Sequence, residues 1–237
     1  MGTSKQDEMS KNGANWIEAD AYLFDIDGTL LNTRDAVHYY AFLNAIRDVF
    51  GVEPSIDGVP VHGNTDIGIL RAVVTRAGMP PAEFEARLPR ALQQMCAEVE
   101  TYAAHMQAEL CPSVEQLLQT LSQAGKLLGV ASGNLQSIGW AKLQAAGLRS
   151  YFDFGSFSDQ AEFRSEIFRN AVAEARKRLG GSARVCVVGD TPSDIKAARQ
   201  LNLPIIAVAT GIYSRDQLLA YDPDVCVPCC SDLLPCA

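Results

Sequence analysis

Asp25 and Asp27 stand one residue apart at the end of an apolar run, with Gly28 directly after them (AYLFDIDGTLLNT, Ala21 to Thr33). Two carboxylates in such a place are costly unless something positive lies between them. A divalent metal and a phosphate group would account for the arrangement, and Gly28 lets the chain turn away sharply behind it. Two further apolar runs end in related chemistry. Leu127 to Ala131 leads into Ser132, Gly133 and Asn134. The N–H groups of Gly133 and Asn134 can open toward an anion at the start of the next helix. Val185 to Val188 leads into Gly189 and Asp190, with Asp194 four residues on. Hard carboxylate oxygens suit Mg²⁺, which prefers octahedral oxygen ligands and keeps several waters.

These groups need a frame that brings strand ends together. The periodicity predicts a short buried strand at Tyr22–Phe24, then helices over Arg34–Phe50, with Gly51 as its stop, and Thr65–Ala77. A third helix opens at Pro80 and Pro81, with a break near Pro89 and a resumption to about Met106. No strand signal lies between Thr33 and Leu110. From Pro112 on, strands and helices alternate. Strands are expected at 127–131, 152–157, 185–188, 205–209 and 225–227, and helices at 114–124, 136–146, 162–179 and 193–201. Such alternation predicts an α/β fold with a parallel sheet covered on both faces, and ligands of these sheets bind at the strands' carboxyl edge. P-loop and dinucleotide fingerprints are lacking.

The residue totals narrow the partners. A chain of 237 residues, 48% hydrophobic, can bury a sizeable core. A net charge of −8 argues against a nucleic-acid or anionic-membrane surface. Seven cysteines in no framework spacing point to a reducing, cytoplasmic setting, and the C-x-x-C at Cys226 and Cys229, near Cys230 and Cys236, is weak grounds for zinc. Residues 1–18 are polar and read as a loose tail, not a signal peptide. No stretch is long and apolar enough to span a bilayer.

The pattern D-x-D-G-T-L at Asp25–Leu30 resembles motif I of the haloacid dehalogenase (HAD) superfamily. GVASGN resembles its motif II, and VVGDTPSDIKAAR resembles motif IV. The helical stretch 34–110 looks like the cap inserted after motif I in one subclass, that of phosphoglycolate phosphatase and β-phosphoglucomutase. The implied architecture is a Rossmann-like core, 19–33 and 111–237, with an all-helical cap over 34–110. The implied metal ligands are one Asp25 oxygen, the backbone carbonyl of Asp27, and Asp190, with Asp194 as a further ligand or an acceptor behind it. Asp25 is the implied nucleophile and Asp27 the implied acid–base. Thr29, Ser132, Gly133 and Asn134 are implied phosphate contacts, and Thr65, in a stretch similar to G-x-T-D, a cap-side one. The motif III Lys is replaced here by Arg164, a planar fork instead of a point charge.

The resemblance thus implies a Mg²⁺-dependent phosphatase, monomeric or homodimeric, acting on a small phosphorylated metabolite. A phosphomutase similar to β-phosphoglucomutase is the alternative on the same scaffold. A catalytically weak binding protein, suggested by Arg164 alone, is the alternative from another class.

Overall fold

Strand β1 (Ala21–Phe24) is buried along its whole length and lies inside a six-stranded sheet. The computed structural model describes residues 17–33 and 36–234. The other strands of the sheet are β4 (Leu127–Ala131), β5 (Phe154–Ser156), β6 (Val185–Gly189), β7 (Ile205–Val208) and β8 (Val225–Val227). Their order is β5-β4-β1-β6-β7-β8, every pair parallel. Alternate residues of each strand face opposite layers. Tyr22, Phe24, Cys186, Val188 and Ile206 enter one apolar core with helix α4 (Val114–Gln123) and Leu143 of α5 (Gln136–Ala145). Ala21, Leu23, Val185, Val187 and Ile205 enter the other, with α6 (Arg164–Leu179), α7 (Pro192–Gln200) and Leu218 of the short α8 (Arg215–Leu219). This is the doubly covered parallel sheet that the alternating pattern predicts.

Register aligns the chemistry. Phe24 is level with Val130 of β4 and Val188 of β6. Asp25, Ser132 and Asp190 therefore leave three adjacent strands within two residues of the same level.

Between β1 and β4 the chain makes a helical excursion. It leaves through β2 (Leu31–Thr33) and returns through β3 (Ala108–Leu110), paired antiparallel with Leu31 opposite Leu110. Between them lie α1 (Val37–Ala45), continued by a π-turn over Ile46–Phe50, then α2 (Asp66–Arg76) and α3 (Pro81–Tyr102). Phe42, Ile46, Leu70, Val73, Phe84 and Met95 form its core, shared with Leu135 and Ile138 at the start of α5.

The structure departs from the sequence reading in several places, the short α8 among them, which the pattern does not predict. β2 and β3 exist where the pattern predicts no strand, because three-residue strands paired only with each other leave no period in the sequence. Helix α3 does not break at Pro89. Pro89 and Glu85, whose carbonyl loses its donor, are both exposed, so water can satisfy that group while Phe84, Ala91, Met95 and Val99 bury the opposite face. Helix α1 begins at Val37; Arg34 lies outside the described residues. Of the tail expected over residues 1–18, 1–16 lie outside the described residues too, while Ile17 packs on the core and Glu18 pairs with Lys126 instead of hanging loose.

Candidate active site

Asp25 is buried at the end of β1, its backbone N–H bonded to the Val188 carbonyl of β6 (3.0 Å). Burial pushes its carboxyl pKa up, and the neighbouring Arg164 only partly offsets this. Arg164 is the first residue of α6 and only 9% exposed, not the surface residue that a helix start often is. Its guanidinium donates to both Asp25 oxygens, at 3.0 and 3.2 Å, and its Nε lies 3.2 Å from Oδ1 of Asp194. Burial works against the guanidinium charge, but Asp194 and Asp25 outweigh it and raise the pKa further. Arg164 thus stands beside the carboxylate of β1, where the family's Lys is implied.

Asp194 is wholly buried at the start of α7. Its Oδ2 accepts from the Thr191 hydroxyl (2.6 Å) and N–H (3.1 Å), a capping box that fixes the helix start. With its other oxygen Asp194 makes an ion pair with the Arg164 Nε without forming a hydrogen bond to it. It is also close enough to the remaining acids to share an ion.

Asp190 is held by Thr29, whose hydroxyl donates to Oδ1 at 3.0 Å. Its Oδ2 lies between two glycines. A Cβ on Gly28, which turns with φ +86°, would come within 2.1 Å of that oxygen, and one on Gly211 within 1.8 Å. Burial drives the Asp190 pKa well above the usual carboxylate range, and Asp194 and Asp25 add to the effect. Among the described residues, ligand oxygens of Asp25, Asp190 and Asp194 lie within 4.8 Å of one another. Three carboxylates against one guanidinium leave two net negative charges in a buried place. A divalent cation with hard oxygen preferences fits that donor set and that deficit.

Asp27 points elsewhere. Its side chain is 42% exposed, and its two oxygens accept from Lys142 Nζ at 2.9 and 2.8 Å. Asn134 Nδ2 donates to Asp27 Oδ2 at 2.7 Å and to Ser132 Oγ at 2.9 Å. Lys142 Nζ also donates to Asn134 Oδ1 at 2.8 Å. Sequence reasoning misses Lys142. A lysine in an amphipathic helix ordinarily reads as solvated, and its only signal is its place ten residues after Ser132, on the helix that Ser132–Asn134 opens. It is 4% exposed.

These groups open into a cavity of about 350 Å³ lined by Asp25, Asp27, Ser132, Gly133, Asn134, Lys142, Arg164 and Asp190 from the sheet side. From the helical side come Gly63, Asn64 and Asp66 of the G-x-T-D-like stretch, with His38, Phe42 and Ile69. His38 Nε2 lies 3.2 Å from Asp66 Oδ2, which also accepts from the Leu135 N–H (2.8 Å). The helical excursion is further tied down by Arg71, which grips Glu162 through two bonds of 2.6 Å.

Two expected phosphate contacts do not line this cavity. Thr29 commits its hydroxyl proton to Asp190, so it braces that buried carboxylate. Thr65 caps α2 by accepting from the Gly68 N–H (3.0 Å) and donates to the Glu162 carbonyl (2.8 Å). Its hydroxyl joins the helical excursion to the core and does not face the pocket. Trp140 packs against Phe157 and Arg149. Among the described residues no cluster of three metal-ligating groups includes a cysteine, and Cys226 and Cys230 are buried; Cys236 lies outside those residues.

Residues 22–208 match the family described as haloacid dehalogenase-like hydrolase. The chain is 34% identical to phosphoglycolate phosphatase of Synechococcus elongatus, over 90% of this chain and 95% of that one. It is 30% identical to the probable phosphatase IndB of Dickeya dadantii, over 91% and 92%. The fold is similar to that of CbbY from Rhodobacter sphaeroides, solved in complex with phosphate, with a TM-score of 0.64, 19% identity, and coverage of 89% and 94%. No helix among the described residues is long and apolar enough to cross a membrane.

Proposed function

The chain belongs to the haloacid dehalogenase-like hydrolase family, and we propose that it is a Mg²⁺-dependent phosphatase of small phosphate monoesters working through an aspartyl-phosphate. One observation carries the reading. Asp25, Asp190 and Asp194 meet within 4.8 Å beside a buried guanidinium, on a pocket that also holds Asp27 and Ser132. Names of the relatives, phosphoglycolate phosphatase and phosphatase IndB, support the same substrate class.

In this reading Asp25, Asp190 and the Asp27 carbonyl would hold the metal, with Asp194 as a further ligand or an acceptor. Bound there, Mg²⁺ supplies charge that offsets the approach of an anionic phosphate to an anionic nucleophile. Arg164 pairs with phosphate oxygens as it now pairs with Asp25, and the Ser132 hydroxyl with the Gly133 N–H takes the others, the Asn134 N–H being bonded to Ser132 Oγ. An Asp25 oxygen attacks phosphorus in line. The bond from phosphorus to the ester oxygen breaks, and Asp27 gives that oxygen its proton. Water then attacks the aspartyl-phosphate, Asp27 takes a proton from it, and inorganic phosphate leaves with Asp25 regenerated. Positioning and charge stabilisation supply most of the rate in such transfers. The helical excursion acts as a cap that excludes bulk water from the reaction.

The test is a panel of phosphate monoesters assayed with Mg²⁺ and with chelator, for the wild type and Asp25→Asn. Expected is metal-dependent phosphate release that the substitution abolishes without unfolding the protein. Release that persists in Asp25→Asn refutes the nucleophile. Transfer between positions of a sugar with little free phosphate would instead identify a mutase.

A further inference from the structure

A buried lysine locked to a half-exposed carboxylate needs a reason. Lys142 gives up nearly all its hydration, and a lysine in that place is costly to the fold unless it is fully bonded. All three of its bonds go to the acid–base group and its neighbour: two to Asp27 and one to Asn134. Both Asp27 oxygens are gripped at once, which fixes the plane of a carboxylate that would otherwise rotate freely at the pocket wall. The third bond fixes the Asn134 amide. With Oδ1 committed to Lys142, Nδ2 must face Asp27 and Ser132, as it does at 2.7 and 2.9 Å. Ser132 Oγ therefore receives a donor from Asn134, and its own O–H is left to point into the pocket.

We infer that Lys142 is a positioning residue that sets the aim of the acid–base group Asp27 and, through the Asn134 amide, of the Ser132 hydroxyl. The inference rests on the phosphatase reading above. Lys142 does not touch the reacting atoms in this role. It holds Asp27 where the ester oxygen departs and where water must later arrive.

The experiment compares the wild type, Lys142→Met, Lys142→Arg, Asp27→Asn and the Asp27→Asn/Lys142→Met double variant. With enzyme in excess, release of the leaving group is followed for an alkyl phosphate and for p-nitrophenyl phosphate in the phosphorylation half-reaction. Methionine fills a similar volume, and Asp27, being half in water, is not stranded as a buried charge, so the fold should persist; thermal unfolding checks this. Expected for Lys142→Met is a roughly 10–10²-fold loss on the alkyl ester, part of the 10²–10⁴ worth of a general acid. On p-nitrophenyl phosphate, which needs little proton donation, the loss should be within about threefold by the same reasoning. Lys142→Arg, which keeps a cation, should recover part of the alkyl-ester rate. In the Asp27→Asn background the lysine change should cost nothing further, as expected of groups acting as a unit. Equal losses on both substrates with additive effects, or a Lys142→Met rate equal to wild type, overturns the inference while the phosphatase reading stands. A wild type idle on every ester defeats that reading first, and this one with it.

Discussion

Replacing Arg164 by Ala tests the core of the site in two independent ways. Arg164 is buried against Asp25 at 3.0 and 3.2 Å and Asp194 at 3.2 Å, and both acids are themselves buried. Removing one partner of a buried ion pair typically costs about 3–5 kcal/mol, because the other charge is left unpaired. For a chain of this size that corresponds to a fall in Tm of roughly 6–20 °C in chelator. A divalent cation binding the same carboxylates should recover part of the loss. The rise in Tm on adding Mg²⁺ should therefore be larger for Arg164→Ala than for the wild type. Activity should fall by about 30–10³-fold in kcat/KM, comparable to losing about 2–4 kcal/mol of oxyanion stabilisation. Arg164→Lys keeps the charge but not the fork, and should lie between the two. Thermal unfolding with chelator and with Mg²⁺, together with kcat/KM at saturating Mg²⁺, measures both. An Arg164→Ala protein that melts with the wild type in chelator and turns over normally would refute the counter-ion role outright.

Two further outcomes follow from the clustered buried acids. Gly211→Ala is a clean steric probe, since Gly211 does not use a left-handed backbone and the added Cβ would sit 1.8 Å from Asp190 Oδ2, which Gly28 blocks from behind. The carboxylate must move by about an ångström, a displacement worth roughly 10²-fold in rate, and a Mg²⁺ titration of activity should show a raised half-activating concentration; an unchanged titration would mean that Asp190 is not fixed there. Burial also raises the folded-state pKa values of Asp25 and Asp190 above their ordinary 3.8. Without metal the folded chain then binds more protons than the unfolded chain, so these two groups lower stability as pH rises from about 3.8 through the raised values. The Mg²⁺-induced increase in Tm should therefore grow as pH climbs through that window, and a constant increment would contradict the buried, metal-seeking state of these acids.

The strand ends are legible in the sequence because a short apolar run that stops at a charged residue marks the place where a buried strand reaches a solvent-facing edge. Asp25 and Asp190 are of that kind, Ser132 is their polar counterpart on β4, and parallel pairing brings the three level. Side-chain commitments are not legible. Thr29 and Thr65 carry hydroxyls of the right kind in the right stretches, but which acceptor each one meets is settled by distant parts of the chain, Asp190 and Glu162. Lys142 escapes for the same reason, since its partners are Asp27 and Asn134 and not its own helix. The helix through Pro89 shows the converse, a strong local signal overridden by an apolar face that packs on both sides of it. His38 has no ligand spacing to mark it, and its nearness to Asp66 is created by the docking of two helices.

The sheet order has a consequence for how the chain is made. β1 leaves the ribosome before either of its neighbours, β4 coming after the whole helical excursion and β6 some way beyond. At about 5–20 residues per second, the roughly 160 residues from β1 to β6 take on the order of 10–30 s to synthesise. Until β4 is made an apolar tetrapeptide with Asp25 at its tip has no partner strand in the sheet, and one of its edges stays open until β6 follows. The excursion cannot finish early either, because Leu135 and Ile138 of its core come after β4. Nascent chains shorter than about residue 190 should thus be the form most dependent on chaperones that cover exposed strands. Placing Asp25 on that strand also means that no truncated product can assemble the acidic cluster, since Asp25 meets Arg164, Asp190 and Asp194 only when α6 and α7 have been made.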